Sequence, residues 1–284
     1  MILIRRTYIL AVIAMTLFLI VSCREDSLQY ADKDIAVELD TPIAFALDDL
    51  HTKADVTSLS SFHVLCINGA LASGYESSVF SDIFYSTGSG YYEGDYYWPN
   101  SSVGYSFYAS NKSLNMSVSG TYLTAEPLTD VVVAKVSSAT YKEVVPLTFN
   151  HIYAKIGYCN VTAPSGFTVS GLKVKMTPNT GGRYYVYKGT WSNFTTTTLT
   201  LASTTDNTSS IENLIVPGTY TLSLSYTLTK DSYTETINNS LSLTFVAGKK
   251  NNIEITLPAG NVTSPGGGLV IDPWEGDEDV YEEM

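Results

Sequence analysis

Alternation of apolar and polar side chains with a period of two is the feature that most constrains the fold of this chain. It is clearest between residues 220 and 229, where every intervening residue is Ser or Thr and the apolar positions are Tyr220, Leu222, Leu224, Tyr226 and Leu228. A strand that is buried on one face requires this period, whereas an amphipathic helix requires a period of 3.6. No long segment after residue 22 has helical periodicity, so the sequence predicts an all-β protein of antiparallel strands.

Composition and length agree with this class. Charged residues make up only 15% of the chain, and 21 of its 284 residues are tyrosines. Aromatic and β-branched side chains favour strands. A chain of this length is enough for one large β domain or two ordinary ones, and either can bury a proper core. The segment 147–161 alternates again before a polar interruption, and we expect it to join two β-rich halves, predicted as sandwich domains at 54–150 and 151–257.

The alternation also predicts which side chains share a face. Between residues 152 and 159, Ile152, Ala154, Ile156 and Tyr158 have one parity, and Tyr153, Lys155, Gly157 and Cys159 have the other. Further along the chain, Phe167 and Val169 have one parity, whereas Leu172, Val174 and Met176 have the other. A β-bulge or a local bend at Gly171 would produce this second change of phase.

Residues 1–22 have the features of a bacterial export signal. Arg5 and Arg6 precede an apolar stretch at 8–21 that is short for a membrane span. The stretch ends in Ile20-Val21-Ser22-Cys23, which resembles the lipobox of bacterial lipoproteins. This resemblance implies lipidation of the Cys23 thiol, and the acyl chains would anchor the protein to an outer membrane. A signal peptide without lipidation and a membrane helix are the alternatives.

Residues 23–53 contain a tether and an apolar ribbon. The acidic pair Glu25-Asp26 resembles the tag that sends Bacteroides-type lipoproteins to the cell surface, with a solvated tether as the alternative. The ribbon keeps one parity through Ile35, Val37, Leu39, Thr41, Ile43, Phe45 and Leu47. We expect it to complete the first sandwich, and Pro42, which lacks an amide donor, favours an edge position or a break. The polar loop that follows holds one basic residue open to proteolysis, Lys53.

Composition changes again in the segment 258–284. A Gly-rich linker leads to the apolar residues Leu269, Val270, Ile271 and Trp274, and the chain ends in an acidic run. Residues 261–268 reach about 25 Å when extended, so the apolar segment is able to leave its own domain as a strand. A disordered tail, or an edge strand folded back on its own domain, is the alternative.

The sequence contains no motif of catalysis or metal binding. His51, His63 and His151 are scattered, and neither HExxH nor Cys-x-x-Cys occurs. No cofactor or metal is predicted, and an enzyme is the least favoured class. The formal net charge of −12 disfavours nucleic acid as a partner. Cys66 and Cys159 lie in apolar runs, which predicts buried inert thiols, with a disulfide between them as the alternative.

Aromatic residues are concentrated between residues 91 and 108. Tyr and Trp faces stack on sugar rings, so the cluster raises the hypothesis of a glycan-binding platform. Sandwich core is the more common role for such rings.

Eight short segments occur in a characteristic order. They are Ile20-Val21-Ser22-Cys23, Thr52-Lys53-Ala54, Leu59-Ser60-Ser61-Phe62, Tyr97-Trp98-Pro99, Phe107-Tyr108-Ala109, Phe149-Asn150-His151, Ala154-Lys155-Ile156 and Gly248-Lys249-Lys250. Together they resemble the fimbrillin family, the surface-fimbria subunits of Bacteroides-type bacteria. The resemblance implies two transthyretin-like antiparallel β-sandwich domains in tandem, lipoprotein export, proteolytic removal of an N-terminal strand and polymerisation by strand exchange. Lys53 stands where the better-known subunits have Arg.

The sequence therefore predicts a non-enzymatic structural subunit of a surface fimbria, or a fimbria-associated adhesin, that mediates cell adhesion. Cleavage after Lys53 would release the inward residues Ile35, Val37, Leu39, Ile43, Phe45 and Leu47, and the strand Leu269 to Ile271 with Trp274 from another copy would refill the groove. The predicted partners are other fimbrial subunits, the outer membrane through the lipid anchor, and a host glycan or protein ligand. A surface glycan-binding lipoprotein and a non-polymerising anchor subunit that keeps its N-terminal strand are the alternatives.

Overall fold

Strands are the only regular elements in the part of the chain that the structure describes. This computed structural model describes residues 41–47, 59–71, 78–88, 90–99, 104–117, 119–259 and 266–273, the last of these as backbone alone. The predicted all-β class is confirmed. Within these ranges, no helix is long and apolar enough to cross a membrane.

The first ten described strands lie between residues 42 and 151. They are β1 (Pro42–Leu47), β2 (Ser61–Asn68), β3 (Ser78–Gly88), β4 (Tyr91–Tyr97), β5 (Tyr105–Ser110), β6 (Asn115–Ser117), β7 (Gly120–Ala125), β8 (Val132–Ala139), β9 (Val145–Leu147) and β10 (Asn150–His151). Eight of them form one sheet with the order β10-β8-β5-β2-β3-β4-β1-β9. Neighbours in this sheet are antiparallel apart from β1 and β9, which run parallel.

Ten further strands follow. They are β11 (Ala154–Thr162), β12 (Thr168–Met176), β13 (Asn179–Tyr185), β14 (Thr190–Thr196), β15 (Leu199–Ala202), β16 (Ser209–Ile215), β17 (Gly218–Lys230), β18 (Tyr233–Phe245), β19 (Lys249–Thr256) and β20 (Gly266–Pro273). Two four-stranded sheets have the orders β16-β11-β19-β20 and β15-β12-β17-β18, and a third, β14-β13-β7-β6, combines strands from both halves of the chain.

The eight-stranded sheet is buried on both faces at β2. Phe62, Val64 and Cys66 belong to one cluster of buried side chains, whereas Leu65 and Ile67 belong to another. A strand covered on both faces needs a nearly continuous apolar run, and the sequence from Phe62 to Ile67 supplies one.

A separate cluster fills the space between the sheets that contain β11 and β17. On β17 the residues Leu222, Leu224, Tyr226 and Leu228 are buried, and the Ser and Thr residues between them are exposed or half-buried. The alternation predicted for this segment is confirmed. Cross-strand hydroxyl pairs, such as Thr219 with Thr244 at 2.7 Å, lie on the exposed face.

One sheet and one cluster bridge the predicted domain boundary at residues 150 and 151. β7 pairs with β13, with Leu123 opposite Tyr184. The bridging cluster combines Leu65 and Tyr108 with Val186 and other later residues. All the residues that the structure describes belong to one compact unit. The division into domains 54–150 and 151–257 stays a prediction, and any such domains share buried side chains and a sheet.

The phase change predicted at Gly171 is confirmed. The pairing of β12 with β17 shifts register between Ser170 and Lys173, and Gly171 has a φ of 63°. A glycine tolerates this left-handed backbone because it has no Cβ.

The phase predicted between residues 152 and 159 is wrong beyond Ile156. In the pairing of β11 with β19, the three steps from Ile156 to Cys159 lie opposite only two steps from Asn251 to Ile253, so Cys159 is fully buried in the same cluster as Ile156. The additional residue on β11 relative to β19 lies at Gly157 and Tyr158. The Tyr158 amide, displaced at this irregularity, donates a hydrogen bond to Oδ1 of Asn252 at 3.2 Å. A bulge therefore reverses the faces that alternation alone assigns.

Candidate assembly site

β1 lies between two neighbours and not at an edge. Phe45 is opposite Tyr92 on β4 and opposite Val145 on β9. The edge position expected from Pro42 is therefore wrong. Pro42 is the first residue of the strand, where the missing amide donor does not interrupt a ladder in the interior of the sheet.

β9 covers β1 with a strand of only three residues. Val145 and Leu147 are buried, and the central residue between them is Pro146. A proline at this position leaves the outer edge without one amide donor, which discourages the addition of a further strand there. β1 is thus second from the edge, behind a short strand with little backbone pairing of its own.

The side chains of β1 fill the centre of an aromatic cluster. Ile43 and Phe45 are fully buried, and Leu47 packs against the same cluster while half-buried. The Phe45 ring centroid lies 4.8 Å from that of Phe84 and 5.2 Å from that of Phe107, both edge to face. Such pairs add about 0.5–1.5 kcal/mol each to the gain from burial. Ile35, Val37 and Leu39 lie outside the described residues.

β20 occupies an edge of a sheet in its own chain. It pairs antiparallel with β19 over eight residues, with Leu269 opposite Ile253 and Ile271 opposite Asn251. Of the alternatives for this segment, the strand folded back on its own chain is the one that the structure shows. Trp274 lies outside the described residues.

A cluster of three charged residues, which the sequence did not single out, joins β19, the strand that pairs with β20, to two other strands. We call Glu212, Lys155 and Lys250 the Glu212 clasp. Glu212 on β16 lies 2.8 Å from Nζ of Lys155 on β11 and 3.3 Å from Nζ of Lys250 on β19. Burial acts to raise the pKa of Glu212, but hydrogen bonds and charge from the two lysines outweigh it and hold this pKa below its usual value. The three residues are far apart in sequence, so only the strand order brings them together.

The two cysteines after the leader are free and buried in different clusters. Burial raises the pKa of each of the thiols of Cys66 and Cys159 to about 12. The alternative of a disulfide between them is not what the structure shows. Cys23 and Lys53, the predicted lipidation and cleavage residues, lie outside the described residues.

Most of the aromatic residues between 91 and 108 are core. Tyr92, Trp98, Tyr105, Phe107 and Tyr108 are buried. Tyr91 and Tyr97 are 46% and 53% exposed. A sugar-stacking platform needs exposed ring faces, and the buried Trp98 ring has none. These five rings therefore have the alternative role, that of core side chains.

Metal ligands are not grouped in the ranges that the structure describes. No three His, Cys, Asp or Glu side chains in these ranges come together in a way that would hold an ion.

Comparison with known families identifies the chain. The family model described as fimbrillin-like matches residues 54–274, which is more than half of the sequence. This chain belongs to the fimbrillin-like family. The resemblance found in its short sequence segments is thereby confirmed, and the family is one of fimbrial proteins and not of enzymes. No curated protein matches the chain.

The fold of this fimbrillin-like chain is shared by a solved structure, and other solved structures are similar at lower scores. A fimbrial protein from Bacteroides vulgatus is 14% identical, with a TM-score of 0.55 over 81% of this chain and 99% of its own. A fimbrial assembly protein from Parabacteroides distasonis is 12% identical, with a TM-score of 0.42 over 82% of this chain and 96% of its own. At 14% identity, the similarity to the Bacteroides vulgatus protein establishes the fold alone.

Proposed function

We propose that this fimbrillin-like chain is a non-enzymatic structural subunit of a cell-surface fimbria, or an adhesin associated with one. It is exported as a lipoprotein, anchored through Cys23, and assembled by strand exchange. The observation that carries the assembly step is the position of β1, a short buried strand next to the sheet edge, followed by a segment that contains Lys53. The fimbrillin-like family and the fimbrial protein that shares the fold support the surface role.

Cleavage after Lys53 would leave β1 attached to the domain by non-covalent contacts alone. Its departure opens a slot between β4 and β9 and uncovers the rings of Phe84 and Phe107. Each large apolar side chain withdrawn from the core costs about 1.5–3 kcal/mol. The slot therefore requires a replacement strand, and because it has a ladder on each side, the replacement must pair with both neighbours.

β20 has the properties of that replacement. It is eight residues long where β1 has six, and in its own chain it has one neighbour, β19. A strand that moves from an edge to the slot of another copy gains a second ladder of hydrogen bonds. The proposed donor residues are Leu269, Val270, Ile271 and Trp274, and the proposed displaced residues are Ile35, Val37, Leu39, Ile43, Phe45 and Leu47.

The proposal is tested by limited proteolysis of the chain from residue 23 onward with a trypsin-like protease. We expect a new N-terminus at Ala54 and oligomers, seen by size-exclusion chromatography, that survive mild denaturant. The Lys53→Gln variant should stay uncut at this position and monomeric. A Leu269→Asp/Ile271→Asp double variant should be cut but fail to polymerise.

Two outcomes contradict the role of a subunit that polymerises by strand exchange. If the clipped chain unfolds or stays monomeric, strand exchange is wrong. If surface protein on cells keeps Cys23 and its lipid after maturation, the chain is a non-polymerising anchor. The anchor role is the second candidate because β20 rests on its own chain.

A further inference from the structure

A cleft of about 480 Å³ opens between the end of the eight-stranded sheet and the turn that joins β13 to β14. Its lining includes Lys135, Thr148, Asn150, His151, Tyr184 and Trp191. This volume lies in the range of small-molecule sites, about 300–1,000 Å³. The cleft uses no residue of β1 or β20, so the assembly step does not account for it.

Aromatic side chains form one wall of the cleft, and other aromatic rings pack against them and restrict their movement. The Trp191 ring centroid lies 5.1 Å from that of Tyr184 and 5.1 Å from that of Tyr153. Tyr153 is fully buried, and its hydroxyl donates to the carbonyl of Glu126 at 3.2 Å. Trp191 is half-buried and borders the cleft. A ring fixed in this way presents a surface for stacking at little cost in side-chain entropy.

Polar side chains on β10 and the residues before it form a second wall. Nδ1 of His151 lies 2.7 Å from Oδ2 of Asp130, which fixes the orientation of the imidazole ring. Nδ2 of Asn150 donates to the carbonyl of Thr148 at 3.4 Å. Amide, hydroxyl and imidazole groups are therefore grouped beside the aromatic wall, the combination that hydroxyl-rich ligands require.

Lys135 gives the cleft a positive charge in an acidic protein. Its ammonium group donates to the carbonyl of Tyr187 at 3.3 Å, and burial lowers its pKa. Among the described residues that line the cleft, none has a carboxylate side chain. The formal net charge of the whole chain is −12. An anionic ligand group is thus favoured at this place and disfavoured over most of the surface.

We propose that this cleft binds a saccharide unit that carries a carboxylate. The apolar face of the sugar ring packs on Trp191, the ring hydroxyls bond to the amide and hydroxyl groups of Asn150 and Thr148, and the carboxylate pairs with Lys135. The inference goes beyond the fimbrial role, and it depends on neither cleavage nor strand exchange. It also moves the glycan hypothesis away from residues 91–108, where most rings are core.

The test is binding of the intact chain to an array of oligosaccharides with sialic acid or uronic acid residues, beside neutral oligosaccharides of matched length. We expect binding to the carboxylated set. Lys135→Ala should weaken it about tenfold, the scale of one charge-assisted hydrogen bond. Ala247→Phe, which adds a ring at an exposed lining residue, should abolish binding without removing any contact. Tyr97→Ala, at an exposed ring elsewhere, should leave binding unchanged.

Thermal unfolding of each variant separates loss of the site from loss of the fold. Folded Ala247→Phe protein that binds normally overturns the proposal, as do equal affinity for neutral and carboxylated sugars and an array without any bound saccharide. The chain would also overturn the proposal if it bound no sugar but associated with a second copy of itself, and if Ala247→Phe abolished that association. The cleft would then be a contact between subunits.

Discussion

Among the described glycines, Gly157 is the one where an added Cβ would come closest to a neighbouring atom. A Cβ there would overlap Oδ1 of Asn252 and lie 2.5 Å from Cε of Lys250. Asn252 is the acceptor for the Tyr158 amide, and Lys250 is bound to Glu212, so neither moves away without breaking a contact. Gly157→Ala is therefore expected to lower the free energy of unfolding by about 1–3 kcal/mol, as measured by urea denaturation.

Gly104→Ala is the matched control for this change. Its added Cβ would come no closer than 3.7 Å to Ser138, an ordinary van der Waals distance. The control should change stability by no more than about 0.5 kcal/mol. Equal losses in the two variants would show that backbone freedom, and not the crowding at the bulge, sets the cost at Gly157.

The sequence signalled one of the two bulges and missed the other for a local reason. On both sides of Gly171, several apolar residues alternate with polar ones and show which face is buried, so the change of phase is visible along the chain. After Gly157, Tyr158 and Cys159 are each compatible with either face. The pairing with β19 and the side chain of Asn252 decide which of them is buried.

The Glu212 clasp belongs to the scale of elements because it joins β16, β11 and β19. Glu212→Gln should lower stability at neutral pH by less than about 1 kcal/mol, since Glu212 is 43% exposed and solvent weakens the pairs. The pKa of Glu212 is lower in the folded state than its ordinary value of 4.5. The stabilisation is therefore present above about pH 4.5 and disappears as the pH falls through the folded-state pKa.

Urea midpoints of wild type and Glu212→Gln, measured at neutral and at acidic pH, check this expectation. The two proteins should converge at acidic pH, and the difference at neutral pH should shrink in high salt because the charges are partly exposed. Glu143→Gln, at an exposed glutamate outside the clasp, serves as the control. A difference that persists at acidic pH would mean that the carboxylate charge is not its cause.

At the scale of the whole molecule, the ladder between β7 and β13 and the cluster around it couple the two halves. Cys66 and Cys159 report on the clusters of opposite halves. We expect both thiols to resist a thiol reagent in the native protein at about pH 8 and to become reactive in the same urea transition. The variants Cys66→Ala and Cys159→Ala, each made in a chain in which Cys23 is replaced by Ser, keep one thiol and so distinguish the two sites.

The pH dependence of the same thiols has a definite sign. Each pKa is raised from its ordinary 9.0 to about 12 in the folded state. Their protonated, buried form therefore stabilises the fold fully below about pH 9, and this contribution is lost as the pH rises toward 12. In the thiol-labelling experiment in urea, labelling of Cys66 and Cys159 at different urea concentrations would show that the predicted domains unfold independently despite the shared sheet.

The sequence by itself determined the all-β class, the faces of strands such as β17, the bulge at Gly171 and the family. These depend on the order of side chains along a short stretch, and the period of a strand is written there directly. Tertiary structure alone decided that β1 has two neighbours, that β20 rests on its own chain, and that Lys135 and Trp191 line one cleft. These features arise from pairing between distant strands, and a period along the chain contains no information about which strand lies alongside it.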